Sequence, residues 1–141
     1  MARILLIDDD IQVLKVMTSF LEKEHHEITT ALDGIQGIKQ LESRQFDLII
    51  TDVIMPEQDG LGVLIWLMNQ TNRPRVIAIS GGSVSLDQNE LLYLCKKLHA
   101  DRVLPKPVDF KTLTQVVREV LNGVGEEHSR LMHEEKCQRS E

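Results

Sequence analysis

The stretch Phe46 to Gly60, FDLIITDVIMPEQDG, decides how this chain is read. Leu48, Ile49 and Ile50 make a short apolar run that leads straight into a lone acid, Asp52. Turn formers follow at once, Met55-Pro56 and then Asp59-Gly60. A run this short, partly β-branched and closed by breakers, predicts a strand buried on both faces. It puts a carboxylate at the strand's C-terminal end, where open α/β sheets gather their ligands.

Four more runs share this form. Arg3 to Ile7 ends in Asp8-Asp9-Asp10, Ile28 to Ala31 in the turn Asp33-Gly34, Val76 to Ile79 in Ser80-Gly81-Gly82-Ser83, and Arg102 to Leu104 in Pro105-Lys106-Pro107. Helical spacing fills the intervals. Asp10 can cap a helix with apolar positions Ile11, Leu14, Met17 and Leu21; Ile35, Ile38 and Leu41 mark a second. Asp59 can cap a third, carrying Leu61, Leu64, Ile65 and Met68. Ser85 and Gln88 fit a capping box before a fourth, bearing Leu91, Leu92, Leu94, Cys95 and Leu98. Asp109 caps the last, with Val108 and Leu113 at the positions of a hydrophobic staple and Gly123 and Gly125 as the stop.

Five strands alternating with five helices predict an α/β fold with a parallel sheet covered on both faces. Right-handed crossovers leave few topologies, of which the flavodoxin-like doubly wound sheet, order 2-1-3-4-5, is the expectation. Residues 1–123 read as one domain. Residues 124–141 read as a charged tail, a frayed helix or disordered, with Leu131 and Met132 the only large apolar side chains of 126–141.

Composition excludes several classes. A net charge of −6 and a pI near 5.4 argue against direct nucleic-acid binding, which calls for a basic face. No apolar stretch approaches the roughly 20 residues that span a bilayer, and the start MARILLIDDD lacks a signal peptide's apolar core. Cys95 and Cys137 make no disulfide framework, so a cytoplasmic protein with reduced thiols is expected. His133 and Cys137 have helical spacing but no further partners for a metal, and Trp66 sits among apolar neighbours as a packing residue.

The polar residues of interest all fall at strand ends, which in a parallel sheet share one edge. Asp8 and Asp9, Asp52, Ser80 and Lys106 therefore converge. Carboxylates brought to about 4 Å repel by about 4 kcal/mol per pair at an effective dielectric near 20, so protons or a cation must offset them. Oxygen-only ligands suit a hard dication such as Mg²⁺, with the backbone carbonyl of Ile54 completing the shell. An ammonium and a hydroxyl suit phosphoryl oxygens, and a carboxylate among them suits nucleophilic attack on phosphorus.

The sequence resembles the receiver domain of two-component response regulators over residues 3–122. The resemblance is carried by LLIDDD at the first strand, ITDVIMPEQDG at the third, AISGG at the fourth and VLPKPVD at the fifth. It implies that Asp52 accepts a phosphoryl group from the phosphohistidine of a sensor kinase or histidine phosphotransfer protein. It implies Mg²⁺ held by Asp8, Asp9 and Asp52, phosphoryl contacts from Ser80 and Lys106, and a cis peptide at Lys106-Pro107. Such a protein is not an enzyme acting on other molecules; it catalyses only its own phosphorylation and dephosphorylation. A downstream protein, or a second copy of the chain, would read the face formed by the predicted fourth helix, fifth strand and fifth helix. Two departures stand out. Receivers usually carry Tyr or Phe three residues before the lysine, where this chain has Val103. Many continue into an output domain, whereas this chain reads as a stand-alone receiver.

Other classes fit less well. A flavodoxin-like cofactor binder needs a phosphate loop after the first strand, where three Asp residues would repel phosphate. A phosphohydrolase with an Asp nucleophile needs a proton donor two residues on, where Ile54 stands. The remaining alternative is a receiver-like interaction module that works without phosphorylation. Ile54 and Gly82 give attacking water no polar group, so slow self-dephosphorylation is expected.

Overall fold

In the computed structural model, residues 1–52, 59–80, 89, 93, 96, 97 and 99–123 are described. Five parallel strands, β1 (Arg3–Ile7), β2 (Glu27–Ala31), β3 (Leu48–Asp52), β4 (Arg75–Ser80) and β5 (Arg102–Pro105), form one sheet in the order β2-β1-β3-β4-β5. The helices are α1 (Ile11–Glu22), α2 (Gly34–Ser43), α3 (Asp59–Met68) and α4 (Phe110–Asn122). Most of the additional helix expected between β4 and β5 lies outside the described residues; Asn89, Tyr93, Lys96 and Lys97, which fall within it, are helical. The predicted tail 124–141 also lies outside them.

Side chains alternate across the sheet with the two-residue period of a strand. Ile4, Leu6, Leu48, Ile50, Ile77 and Ile79 point to one face and meet Leu14, Met17 and Leu21 of α1 and Leu113, Val116, Val117 and Val120 of α4. Leu5, Ile7, Ile49, Val76 and Ala78 point to the other and meet Val63, Leu64 and Leu67 of α3, with Ile38 and Leu41 of α2 packed alongside. This two-sided core is why the strands read as unbroken apolar runs.

Aspartates start three of the helices. Asp10 accepts from Gln12 N at 2.9 Å, Asp33 from Gln36 N at 2.8 Å and Asp109 from Lys111 N at 3.1 Å. Each satisfies amide groups that a helix's first turn leaves without partners. Gly123, at φ 60°, ends α4 in the left-handed region that glycine enters without a steric cost. Val108 and Leu113 share one core, as a staple requires.

Three helix assignments need correction. Ile11 and Ile35, expected on buried faces, are exposed because each is at the start of its helix, beyond the sheet's cover. In α3 the buried stripe is Val63, Leu64 and Leu67, while Ile65 and Met68 face out. The sequence GVLIWLM is apolar all round, so its periodicity does not select a face.

Candidate functional site

Three of the strands, β3, β4 and β5, run past the apolar stretch that marks each, and their ends lie along the sheet's C-terminal edge. Asp52 is the last residue of β3, paired with Ile79, and Ser80 is the last of β4, paired with Pro105. Asp8 follows β1 directly and its amide donates to Ala31 O at 3.1 Å, extending the β1–β2 ladder. Lys106 follows β5, and its peptide bond to Pro107 is cis, as the resemblance implied. The predicted residues Asp8, Asp9, Asp52, Ser80 and Lys106 thus lie along one edge. Ile54, Gly81 and Gly82 lie outside the described residues, as does the Ser80 side chain.

Asp8, Asp9 and Asp52 each offer a carboxylate oxygen within 4.8 Å of the others. Asp8 and Asp52 are buried, and Asp9 is exposed at the mouth. Lys106 reaches into the group: its Nζ donates to Asp52 Oδ2 at 2.5 Å and lies 3.8 Å from Asp8 Oδ2. One ammonium faces three carboxylates, so the cluster keeps a net negative charge and a demand for a further cation.

The titration behaviour reflects this crowding. Burial pushes the Asp8 carboxyl above the usual aspartate range, and the Asp10 amide and Lys106 only partly pull it back, against the charges of Asp52 and Asp9. Burial by itself would lower Lys106. The hydrogen bond that it donates to Asp52 and the charges of Asp52, Asp8 and Asp9 together outweigh it and hold the ammonium above its usual value. Lys106 therefore stays charged across the physiological range.

The donor set fits a hard divalent ion. All three carboxylates are oxygen ligands, with no His or Cys in the cluster. Asp8 Oδ2 is buried and accepts no hydrogen bond, although buried polar atoms nearly always have a partner. A dication beside it would supply what the protein does not.

Two further residues shape the edge. Thr51, fully buried, donates its hydroxyl to the carbonyl of Asp52 at 3.2 Å. The signal for it is a polar residue next to last in an otherwise apolar strand. Val103 is buried in the same core cluster as Val76, Ala78, Ala100 and the α3 side chains, so the position three before Lys106 is filled by a small aliphatic core residue. Among the described residues, no helix is long and apolar enough to cross a membrane.

Comparison with known proteins agrees with this fold. The family described as the response regulator receiver domain matches residues 4–118. The transcriptional regulatory protein CpxR of Escherichia coli K12 is 34% identical over 121 residues, covering 86% of this chain and 50% of that protein. The chemotaxis protein CheY of Treponema pallidum is 30% identical over 122 residues, covering 84% of this chain and 82% of that one. A response regulator receiver domain protein from Clostridium thermocellum superposes with a TM-score of 0.73 at 28% identity, over 88% of this chain and 97% of that structure. The chain spans about half the length of the CpxR relatives it matches.

Proposed function

The chain belongs to the response regulator receiver family, and from that premise we propose that Asp52 is a phosphoacceptor in a two-component phosphorelay. The observation that carries the reading is the direct contact of Lys106 Nζ with Asp52 Oδ2, inside a cluster of carboxylates that one ammonium does not neutralise.

Asp52 attacks the phosphorus of a phosphohistidine on a sensor histidine kinase or histidine phosphotransfer protein. A bond forms from its carboxylate oxygen to phosphorus as the phosphorus–nitrogen bond breaks, and the imidazole leaves with the electron pair. Burial strips water from the carboxylate and fixes its direction along β3. Lys106 then pairs with the transferred oxygens in place of the carboxylate, and Ser80 hydrogen-bonds the same group. Asp8, Asp9 and Asp52, with the Ile54 carbonyl, would hold Mg²⁺, which when bound neutralises charge on the phosphoryl oxygens. Water later cleaves the acyl phosphate and regenerates Asp52.

The new charge draws the chain after Ser80 toward the site and shifts a pre-existing equilibrium at the face that includes β5 and α4. A downstream protein or a second copy of the chain reads that face. With a buried valine at 103, Ser80 carries the message without an aromatic partner at that position. Incubation with a small-molecule phosphodonor and Mg²⁺, comparing wild type with Asp52→Asn, tests the proposal. Unphosphorylated wild type that still binds its partner would favour an interaction module instead.

A further inference from the structure

Asp10 holds two positions at once. Its backbone N–H donates to Asp8 Oδ1 at 2.8 Å, while its own Oδ1 accepts from Gln12 N at 2.9 Å and Val13 N at 3.3 Å in the first turn of α1. The residue is extended, at φ −93° and ψ 107°. The cap fixes these dihedrals, and the dihedrals fix where the Asp10 amide points. That amide takes one oxygen of Asp8. The other, Oδ2, is the buried atom that accepts no hydrogen bond and stands 3.8 Å from Lys106 Nζ.

We infer that Asp10 is a positioning residue for the cation site: by capping α1 it aims its amide at Asp8 Oδ1 and so holds Asp8 Oδ2 presented to the ion. The inference rests on the reading of Asp8, Asp9 and Asp52 as Mg²⁺ ligands. The physical reason is preorganisation. Asp8 is packed against two other carboxylates that repel it, and an unpinned carboxylate in that setting rotates away. The amide bond holds it in place before the ion arrives, so binding does not have to supply that order. Partners of this kind, acting through a ligand, typically change metal affinity by about 10- to 100-fold. The Asp10 side chain is exposed and turned to the helix end, so what it contributes is the cap's geometry, with its charge secondary.

The test is the Mg²⁺ dissociation constant measured by calorimetry on the full chain. Asp10→Ala is expected to weaken binding by about tenfold. Asp10→Asn and Asp10→Ser keep an acceptor at the cap and are expected to restore it to within about twofold. Asp33→Ala removes the equivalent cap from α2, where the cap's amide touches no site carboxylate, and is expected to lower the melting temperature while leaving Mg²⁺ affinity unchanged. Wild-type affinity in Asp10→Ala, an Asn or Ser variant as weak as Ala, or an equal loss in Asp33→Ala would each overturn the inference while leaving the Mg²⁺ reading intact. A wild-type protein that takes up no Mg²⁺ would overturn the reading itself, and this inference with it.

Discussion

Lys106 Nζ lies 2.5 Å from Asp52 Oδ2, although 54 residues and two strand ladders separate them. The contact joins the end of the central strand to the residue after an edge strand, and it exists because both strands end at the same level of the sheet. In the metal-free protein this ammonium is the counter-charge for a buried carboxylate. Lys106→Met is therefore expected to destabilise the protein in EDTA by about 1–3 kcal/mol. That is below the 3–5 kcal/mol typical of breaking a fully buried pair, because the Lys106 side chain is 31% exposed. It is also expected to tighten Mg²⁺ binding, since the ion no longer competes with the ammonium. Urea denaturation and calorimetry check the two effects.

Asp8 sits on the opposite side of the balance. It is buried, pressed by like charges, and one of its oxygens accepts no hydrogen bond. Asp8→Asn is expected to stabilise the metal-free protein by about 1–2 kcal/mol at neutral pH. It should also remove the stabilisation that Mg²⁺ gives wild type, which at 100 times the dissociation constant amounts to about 2.7 kcal/mol. Thermal melts with and without Mg²⁺ separate the two. A variant less stable than wild type in EDTA would show that Asp8 is not under electrostatic stress.

Asp109 gives the clearest pH dependence outside the cluster. The Thr112 hydroxyl, and after it the Lys111 amide, hold its carboxyl below the usual aspartate range. A depressed carboxylate contributes stability above its unfolded value and loses it as pH falls through the native one. The difference between wild type and Asp109→Ala should be full at pH 7 and close below about pH 3.8, the ordinary aspartate value. Asp109→Asn keeps an acceptor and should show no such closing. Urea midpoints across that range test it.

Ile54, two residues after Asp52, and Gly82, two residues after Ser80, give attacking water no hydrogen-bonding side chain. The aspartyl phosphate is accordingly expected to persist for minutes or longer once the donor is removed. A lifetime of seconds, followed by mass spectrometry after rapid desalting, would mean that another group orients the water.

The sheet was legible in the sequence because its inner strands β1, β3 and β4 are buried on both faces and run into turn formers or acids. Leu48 to Ile50 followed by Asp52 needs no tertiary information to read. The site was legible because topology alone sends Asp8, Asp9, Asp52, Ser80 and Lys106 to one edge. The outward faces of the helices were not: Ile65 and Met68 look as apolar as Leu64 and Leu67, and only the docking of α3 on β3 and β4 decides between them. Nor was the orientation of the Asp8 carboxylate legible. Asp10 reads in sequence as a helix cap, and that its amide also binds Asp8 follows only from the turn between them.

The most direct measurement is intact-protein mass spectrometry after incubation with a small-molecule phosphodonor and Mg²⁺. Wild type is expected to gain the mass of a single phosphoryl group that is lost on brief treatment with hydroxylamine, base or strong acid, as an acyl phosphate is. Asp52→Asn, and wild type in EDTA, are expected to gain none. An equal gain in Asp52→Asn, or no gain in wild type, would contradict Asp52 as the phosphoacceptor.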